Sequence, residues 1–416
     1  MSTTPALSTS GALPRGAVLS GRPLRGFPAL WHFATEYLLL LPCGVAVALV
    51  WANTYPEGYF RTVFALDFFV TRVAMVFFFG LIVKEVVEAT APGGVLHSWR
   101  RLGVPVVAAV GTAAVPALVL TVSAPALGEA FIARGWAVTF ATDLAVAYFV
   151  AIVIFGRHPA VPFLLLLALS ANVFGFLALA PAAIDPQVQS LALVPLMVSA
   201  VAAAAVLRWS GVARVWPYVV IGGGLSWLAL FAGGVHPALA LLPIVPFMPR
   251  APRDPGFFVE ASPDAPDTLN VFERWCRHPA QIALLLFGFV TGGVQLQALD
   301  LGTWSVPLAF FVGKPLGLLA GMSVALALGF RLPPHLGWRD LVVVGCVSSL
   351  GFTMALFFAT VAVGPGPVLS ALKMGALVTV VGAPLAFAAA WLLGVGRFAD
   401  RASHQMWETA SRDSGA

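Results

Sequence analysis

Two ionisable residues stand in stretches that leave them little water. Asp143 lies in "GWAVTFATDLAVAYFV", nine residues beyond Arg134 and fourteen before Arg157, and Lys314 lies in "FVGKPLGLLA". A charge at such depth costs several kcal/mol unless it is paired or hydrated, and its usual reason is an ion or proton pathway. A carboxylate can hold either a proton or a hard cation, and a desolvated ammonium can release a proton. This is the chemistry of ion exchange rather than of a covalent reaction. Pro315, directly after Lys314, withdraws a backbone donor and disturbs the helix there. Lys373, in "LSALKMGALV", is a further cation in an apolar run, about two turns in.

Other charges suit a helix end. Lys84, Glu85 and Glu88 close an apolar run and read as snorkelling side chains with topology or ion-entrance roles; Asp67 and Arg72 stand near the opposite end of that run. Hydroxyl and glycine residues give a second signal. Thr139 and Thr142 precede Asp143, and Ser348, Ser349, Gly351 and Thr353 crowd "SSLGFTMALF". Such residues permit an unwound segment whose carbonyls and helix ends face an ion, which a membrane tolerates only inside protein or around a cavity. They serve plain helix packing equally well.

The elements that would carry these residues follow from composition. Of 416 residues 60% are hydrophobic and 10% charged, and the mean hydropathy is +0.93. That excludes a soluble chain and implies an all-α polytopic membrane protein. At roughly 20 apolar residues per crossing, about twelve candidate spans fall near 36–52, 64–88, 103–121, 135–155, 160–180, 188–207, 216–232, 236–249, 280–298, 304–329, 341–363 and 367–396. The stretch 236–249 is short and rich in proline, so eleven spans also fit. With both termini cytoplasmic, seventeen arginines between Arg15 and Arg412 lie inside and only Arg61 and Arg134 outside, as the positive-inside rule requires. Topology leaves four basic residues over: Arg72, Lys84, Lys314 and Lys373. The net charge of +5 thus reports topology and points to no nucleic acid.

Residues 1–30 read as a disordered cytoplasmic tail without the apolar core of a signal peptide, 31–249 as the first eight spans, and 250–278 as an acid- and proline-rich cytoplasmic linker. Residues 279–396 supply the last four spans and 397–416 a second tail. Cys43, Cys276 and Cys346 are too scattered for a disulfide framework or a metal site, as are His158, His236 and His278 for a metal. No phosphate-binding G-x-x-x-x-G-K-[ST] loop occurs, so a nucleotide-driven pump is not expected and an ion gradient would be the energy source; no cofactor is expected either.

At these residues the chain resembles the NhaA family of sodium/proton antiporters. "LVWAN" at 49–53, "FFFGLIVKEVVE", "GWAVTFATDLAVA", "GVHPALA", "FVGKPLG", "LGFTMALF" and "LKMGAL" match family motifs in order along nearly the whole membrane region. The resemblance implies two inverted three-helix units whose discontinuous helices cross near mid-membrane, as in other inverted-repeat transporters. It also implies Na+ or Li+ and H+ as transported ions, pH homeostasis, and a plasma membrane location, which is the inner membrane of a Gram-negative cell. A homodimer follows by fold-level analogy alone. In the family, the aspartate matching Asp143 lies by the helix ends at the crossing, and the lysine matching Lys314 faces the ion site. Half-helix ends carry roughly half a unit of charge, so Lys314 would stabilise the crossing and salt-bridge to an acid.

One departure bears on function. The family's cation site is a pair of aspartates in the fifth span, which here reads "LLLLALSANVFGFLALA" and holds no carboxylate. Aligned without a gap from Asp143 the pair falls on Val173 and Phe174; anchored on Gly175 it falls on Asn172 and Val173. Ile82 and Val86 also stand where the family usually has glutamates, and Glu85 where it usually has a basic residue. Three functions fit. One is a cation/proton antiporter in which Asp143 is the exchange carboxylate, Thr142, Ser170, Asn172 and Thr353 offer neutral oxygens, and Lys314 is the counter-charge or itself the proton carrier. Another is a transport-inactive sensor or scaffold. The third is a carrier of another ion or small solute, including an anion drawn by Lys314.

Overall fold

The computed structural model describes residues 40–90, 99–156, 158–179, 192–249, 267–298, 301–332 and 336–399. The tail expected at 1–30, the linker up to residue 266 and nearly all of the tail at 397–416 lie outside the described residues. All regular elements among the described residues are helical: α1 (Leu40–Thr54), α2 (Pro56–Asp67), α3 (Met75–Thr90), α4 (Trp99–Ala126), α5 (Leu144–Phe155), α6 (Ala160–Leu179) and α7 (Leu193–Trp209) come first. They are followed by α8 (Gly224–Ala232), α9 (Thr268–Gly292), α10 (Lys314–Ala327), α11 (Trp338–Ser348), α12 (Phe352–Ala362), α13 (Pro367–Val378) and α14 (Gly382–Leu393). π-Helical turns at Phe68–Ala74, Tyr218–Gly223 and Ala309–Gly313 lead into α3, α8 and α10.

Among the described residues six helical runs are long and apolar enough to cross a membrane, and eight if each of two bent pairs counts as one span. The bent pairs are the 3-10 helix Ala130–Phe140 with α5, at 63°, and α11 with α12, at 53°. These are the two segments in which threonine, serine and glycine cluster. The chain is thus a polytopic, all-helical membrane protein. The stretch expected as a span at 236–249 instead forms 3-10 turns at Pro237–Leu239 and Val245–Phe247, because Pro237, Pro243 and Pro246 each remove a helix donor. The span expected at 280–298 is the second half of α9. That helix begins at Thr268, where the Asp267 carboxylate caps it by accepting from Asn270 N at 2.9 Å.

Lipid offers helices no hydrophobic reason to associate, so close packing at small residues does it instead. Gly111 of α4 and Gly317 of α10 meet backbone to backbone, and a Cβ on Gly321 would lie 2.8 Å from Ala108 Cα. On either side of Lys314 the same device recurs: a Cβ on Gly313 would stand 2.7 Å from Pro116 Cα, and one on Gly345 2.7 Å from Pro315 Cα. The start of α10 is therefore wedged between α4 and α11, which sets the height and direction of Lys314. Phe357 and Phe358 hold α12 in place through Phe79 of α3, at 4.4 Å between ring centroids, and Phe176 of α6, at 5.1 Å edge to face.

Candidate functional site

The helix Ala130–Phe140 ends at Ala141, whose backbone turns extended (φ −57°, ψ 133°), and α5 does not begin until after Asp143 (φ −75°, ψ 108°). The second break runs through Ser349, Leu350 and Gly351. The two breaks bond directly to each other. Asp143 N donates to Leu350 O at 2.6 Å, Thr142 Oγ1 donates to Ser348 O at 3.3 Å, and Thr353 N donates to Asp143 Oδ2 at 3.0 Å.

Each break leaves backbone groups that a membrane interior cannot hydrate. Asp143 satisfies donors from two helices at once: Oδ1 accepts from Ala145 N at 3.2 Å and Val146 N at 3.1 Å at the start of α5, while Oδ2 takes Thr353 N at the start of α12. Both are helix N-termini, which carry roughly half a positive charge each and favour an anion. Lys314 does the converse. Its Nζ donates to Phe140 O at 3.3 Å, Ala141 O at 2.5 Å and Thr142 Oγ1 at 2.7 Å, so the ammonium closes the negative end of Ala130–Phe140 with all three of its donors engaged. The Phe310 ring lies 5.2 Å away on the cation. Lys314 is fully buried and Asp143 is 3% exposed. Lys314 contacts no carboxylate among the described residues; the salt bridge that the resemblance implies is replaced by helix-end carbonyls.

Asn172 completes the cluster from α6. Its Oδ1 accepts from Thr142 N at 2.9 Å and its Nδ2 donates to Thr142 O at 2.8 Å, so both polar ends of the side chain hold the backbone of the first break. Val173, the next residue, is 41% exposed and points away. Of the two ways to align the family's aspartate pair, only the one anchored on Gly175 brings a pair position, Asn172, to the site.

Asp143, Lys314, Thr142, Asn172 and Thr353 thus come together. Ser170, half-buried and two residues from Asn172, is turned about 200° around α6. Lys373, half-buried in α13, is influenced by Asp67 and hydrogen-bonds to none of the five. Lys84 does not snorkel: it is buried, and its Nζ meets Glu85 at 3.3 Å, Glu88 at 2.7 Å and Glu273 of α9 at 2.6 Å. Sequence reasoning assigned Glu273 to the linker. The signal available was Asp267 as an N-cap before the apolar positions Phe272, Cys276 and Ala280, four apart. The acceptors Phe140 O, Ala141 O, Ser348 O and Leu350 O have no signature in any side chain.

Fold and site together define a polytopic membrane protein that keeps two opposite charges where two broken helices meet. The family described as Na+/H+ antiporter 1 matches residues 32–393. A Na(+)/H(+) antiporter NhaA of Desulfitobacterium hafniense (strain DSM 10664 / DCB-2) is 39% identical over 380 residues, spanning 89% of this chain and 97% of that protein. One of Geobacter metallireducens (strain ATCC 53774 / DSM 7210 / GS-15) is 38% identical over 87% of this chain and 97% of its own length. The chain belongs to the Na+/H+ antiporter 1 family and is an NhaA-type member of it.

Proposed function

We propose that the protein is a secondary-active sodium (or lithium)/proton antiporter that exchanges cytoplasmic cation for external protons. The observation that carries this reading is the juxtaposition of Asp143 and Lys314 on either side of Thr142, at the contact of the two breaks, in a chain whose relatives carry that name. Three backbone N–H groups and the Thr353 hydroxyl bond the Asp143 carboxylate, so a cation would take the place of the hydroxyl's hydrogen there. The hydroxyls of Thr142 and Thr353 are neutral oxygens of the kind a hard cation accepts beside it. Twelve crossings in inverted repeats, with both termini cytoplasmic, are the architecture this function implies, the largely buried 3-10 segment 237–247 counting as one of them; the arginine asymmetry supports the orientation.

Asp143→Asn is the test. It removes the anion while keeping one oxygen, and cation-driven proton movement in proteoliposomes should fall to background. Full exchange by that variant would refute the proposal.

One observation favours a second reading, an NhaA-type member with no transport or with another solute. α6 carries no acid, and Asn172 commits both polar atoms to Thr142 instead of offering its oxygen to an ion. Proton flux that ignores sodium and lithium but follows an anion gradient would establish the altered specificity.

A further inference from the structure

We propose that Glu129, Ser123 and Thr303 form a second cation site, at the outer end of the seam between α4 and α10, which takes one sodium or lithium ion. That this ion is the transported one, caught or released on the external side, rests on the antiport reading and orientation above; the site itself does not.

Three elements meet at this point. α4 ends at Ala126, the chain turns, and Glu129 N donates to Ala124 O at 2.9 Å, which fixes Glu129 against the last turn of α4. The helix Ala130–Phe140 starts at the next residue, and the 3-10 turn Leu301–Trp304 arrives from the other side. A Cβ on Gly302 would collide with Glu129 Cβ and Cγ, so the acid lies directly on that turn. α4 and α10 run antiparallel, Gly111 against Gly317 and Pro116 against Gly313; continued outward, this register brings Ser123 to the height of Ser305 and Thr303. Glu129 thus touches the neighbour of Ser123 on one side and the neighbour of Thr303 on the other.

All three side chains have polar atoms unspent. Glu129 is the N-cap of Ala130–Phe140, where a carboxylate ordinarily accepts from the first N–H groups, yet its side chain makes no such bond. Its carboxylate has no hydrogen-bond or ion-pair partner among the described residues, and Arg134 lays its guanidinium over Phe131 at 5.1 Å instead. Thr303 is 2% exposed; its Oγ1 and Ser123 Oγ are closed to solvent without a hydrogen-bond partner among the described residues, a condition that no other side-chain oxygen or nitrogen there shares. Native structures rarely keep such a group without something that uses it. Beside them, Ser305 Oγ donates to Gly302 O at 2.6 Å and keeps its lone pairs.

The donor set is one carboxylate among neutral oxygens, which suits a hard cation, and a single acid balances a single charge. The last carbonyls of α4 add the negative end of a helix, while the N-terminus of Ala130–Phe140 pulls the other way, so the site is a weak one suited to release. The same eleven-residue helix that begins at Glu129 ends on Lys314 through Phe140 O. The outer site therefore lies about 20 Å from the central one along that helix.

The experiment compares full-length wild type, Glu129→Gln and Thr303→Val in two ways. The first is melting in detergent, in sodium chloride and in choline chloride of equal concentration. Sodium should raise the melting temperature of wild type, and each substitution should remove at least half of that rise; an equal rise in all three would overturn the site. In choline, Thr303→Val should melt no lower than wild type, because it deletes an unpaired hydroxyl and keeps the shape. A Val variant weakened equally in both salts would show ordered water in place of the cation, and would overturn it too. The second is exchange in proteoliposomes of one orientation, with external and internal sodium varied in turn. Glu129→Gln should raise half-saturating external sodium about tenfold, the loss of one charged ligand, and move the internal value less than twofold. Equal shifts on both faces, or none, would overturn its place on the transport route. Sodium flux in wild type with the melting of all three alike would leave antiport standing without the site; silence of wild type with a sodium rise that needs Glu129 would leave the site without antiport.

Discussion

Asn172 grips Thr142 at both ends of one residue, taking its N–H on Oδ1 at 2.9 Å and feeding its carbonyl from Nδ2 at 2.8 Å. An amide presents a donor and an acceptor side by side at this reach without needing the proton that a carboxyl would need, which gives the neutral residue at this position a structural reason. Asn172→Ala leaves a buried N–H and a buried carbonyl without partners, at about 1–3 kcal/mol each before relaxation. Thermal unfolding in detergent should show a loss of about 2–4 kcal/mol. Asn172→Asp keeps the acceptor and should lose roughly half as much. An Ala variant as stable as wild type would show that water or a neighbour fills in for the amide.

The Thr142 hydroxyl sits between Lys314 Nζ at 2.7 Å and Ser348 O at 3.3 Å. Thr142→Val preserves shape and deletes the ammonium's only side-chain hydrogen-bond partner among the described residues. Exchange rate should fall by about 100-fold while Thr142→Ser stays within a few fold, a split that flux assays on both variants would read. Equal activity of the two would remove the hydroxyl from the mechanism.

Gly317 of α10 rests on the backbone of Gly111 in α4, three residues past Lys314. Gly317→Val has no flexible side chain to displace there, so α10 must move away from α4 and carry Lys314 off its carbonyls. The yield of monodisperse protein in mild detergent should drop severely, and any folded fraction should not exchange. A variant with wild-type yield and flux would contradict the packing described here.

Lys84 is the common partner of Glu85, Glu88 and Glu273. Lys84→Ala leaves three carboxylates close together with their shared cation gone, a change expected to destabilise by about 3 kcal/mol. The deficit has a pH sign: acidification protonates orphaned carboxylates and removes their repulsion, so the gap to wild type narrows as pH falls. Melting curves of both proteins across pH would show it, and a gap that widens on acidification would count against the cluster.

Much of the site was legible because a membrane makes charge conspicuous. Asp143 and Lys314 announce themselves as isolated charges in apolar runs, and the hydroxyl and glycine residues before Asp143 and around Gly351 marked both breaks, bent by 63° and 53°. The partners were not legible. Lys314 was expected to meet an acid and instead meets two carbonyls and a hydroxyl, since backbone acceptors are the same in every residue. In the sequence Lys84 has the signature of a snorkelling end, because its nearest partner, Glu273, is 189 positions away in a stretch that looks like linker, although the Asp267 cap makes it part of α9. Asn172 was read as an oxygen for the cation, whereas the geometry of the break claims it first.

The central claim is cation-for-proton exchange at the Asp143–Lys314 crossing, and wild-type protein in proteoliposomes tests it most directly. Proton flux is followed after adding sodium, lithium or potassium outside, over a range of pH. The account predicts flux with sodium or lithium that vanishes in Asp143→Asn; silence of the wild type with both cations, or undiminished flux in the variant, would contradict it.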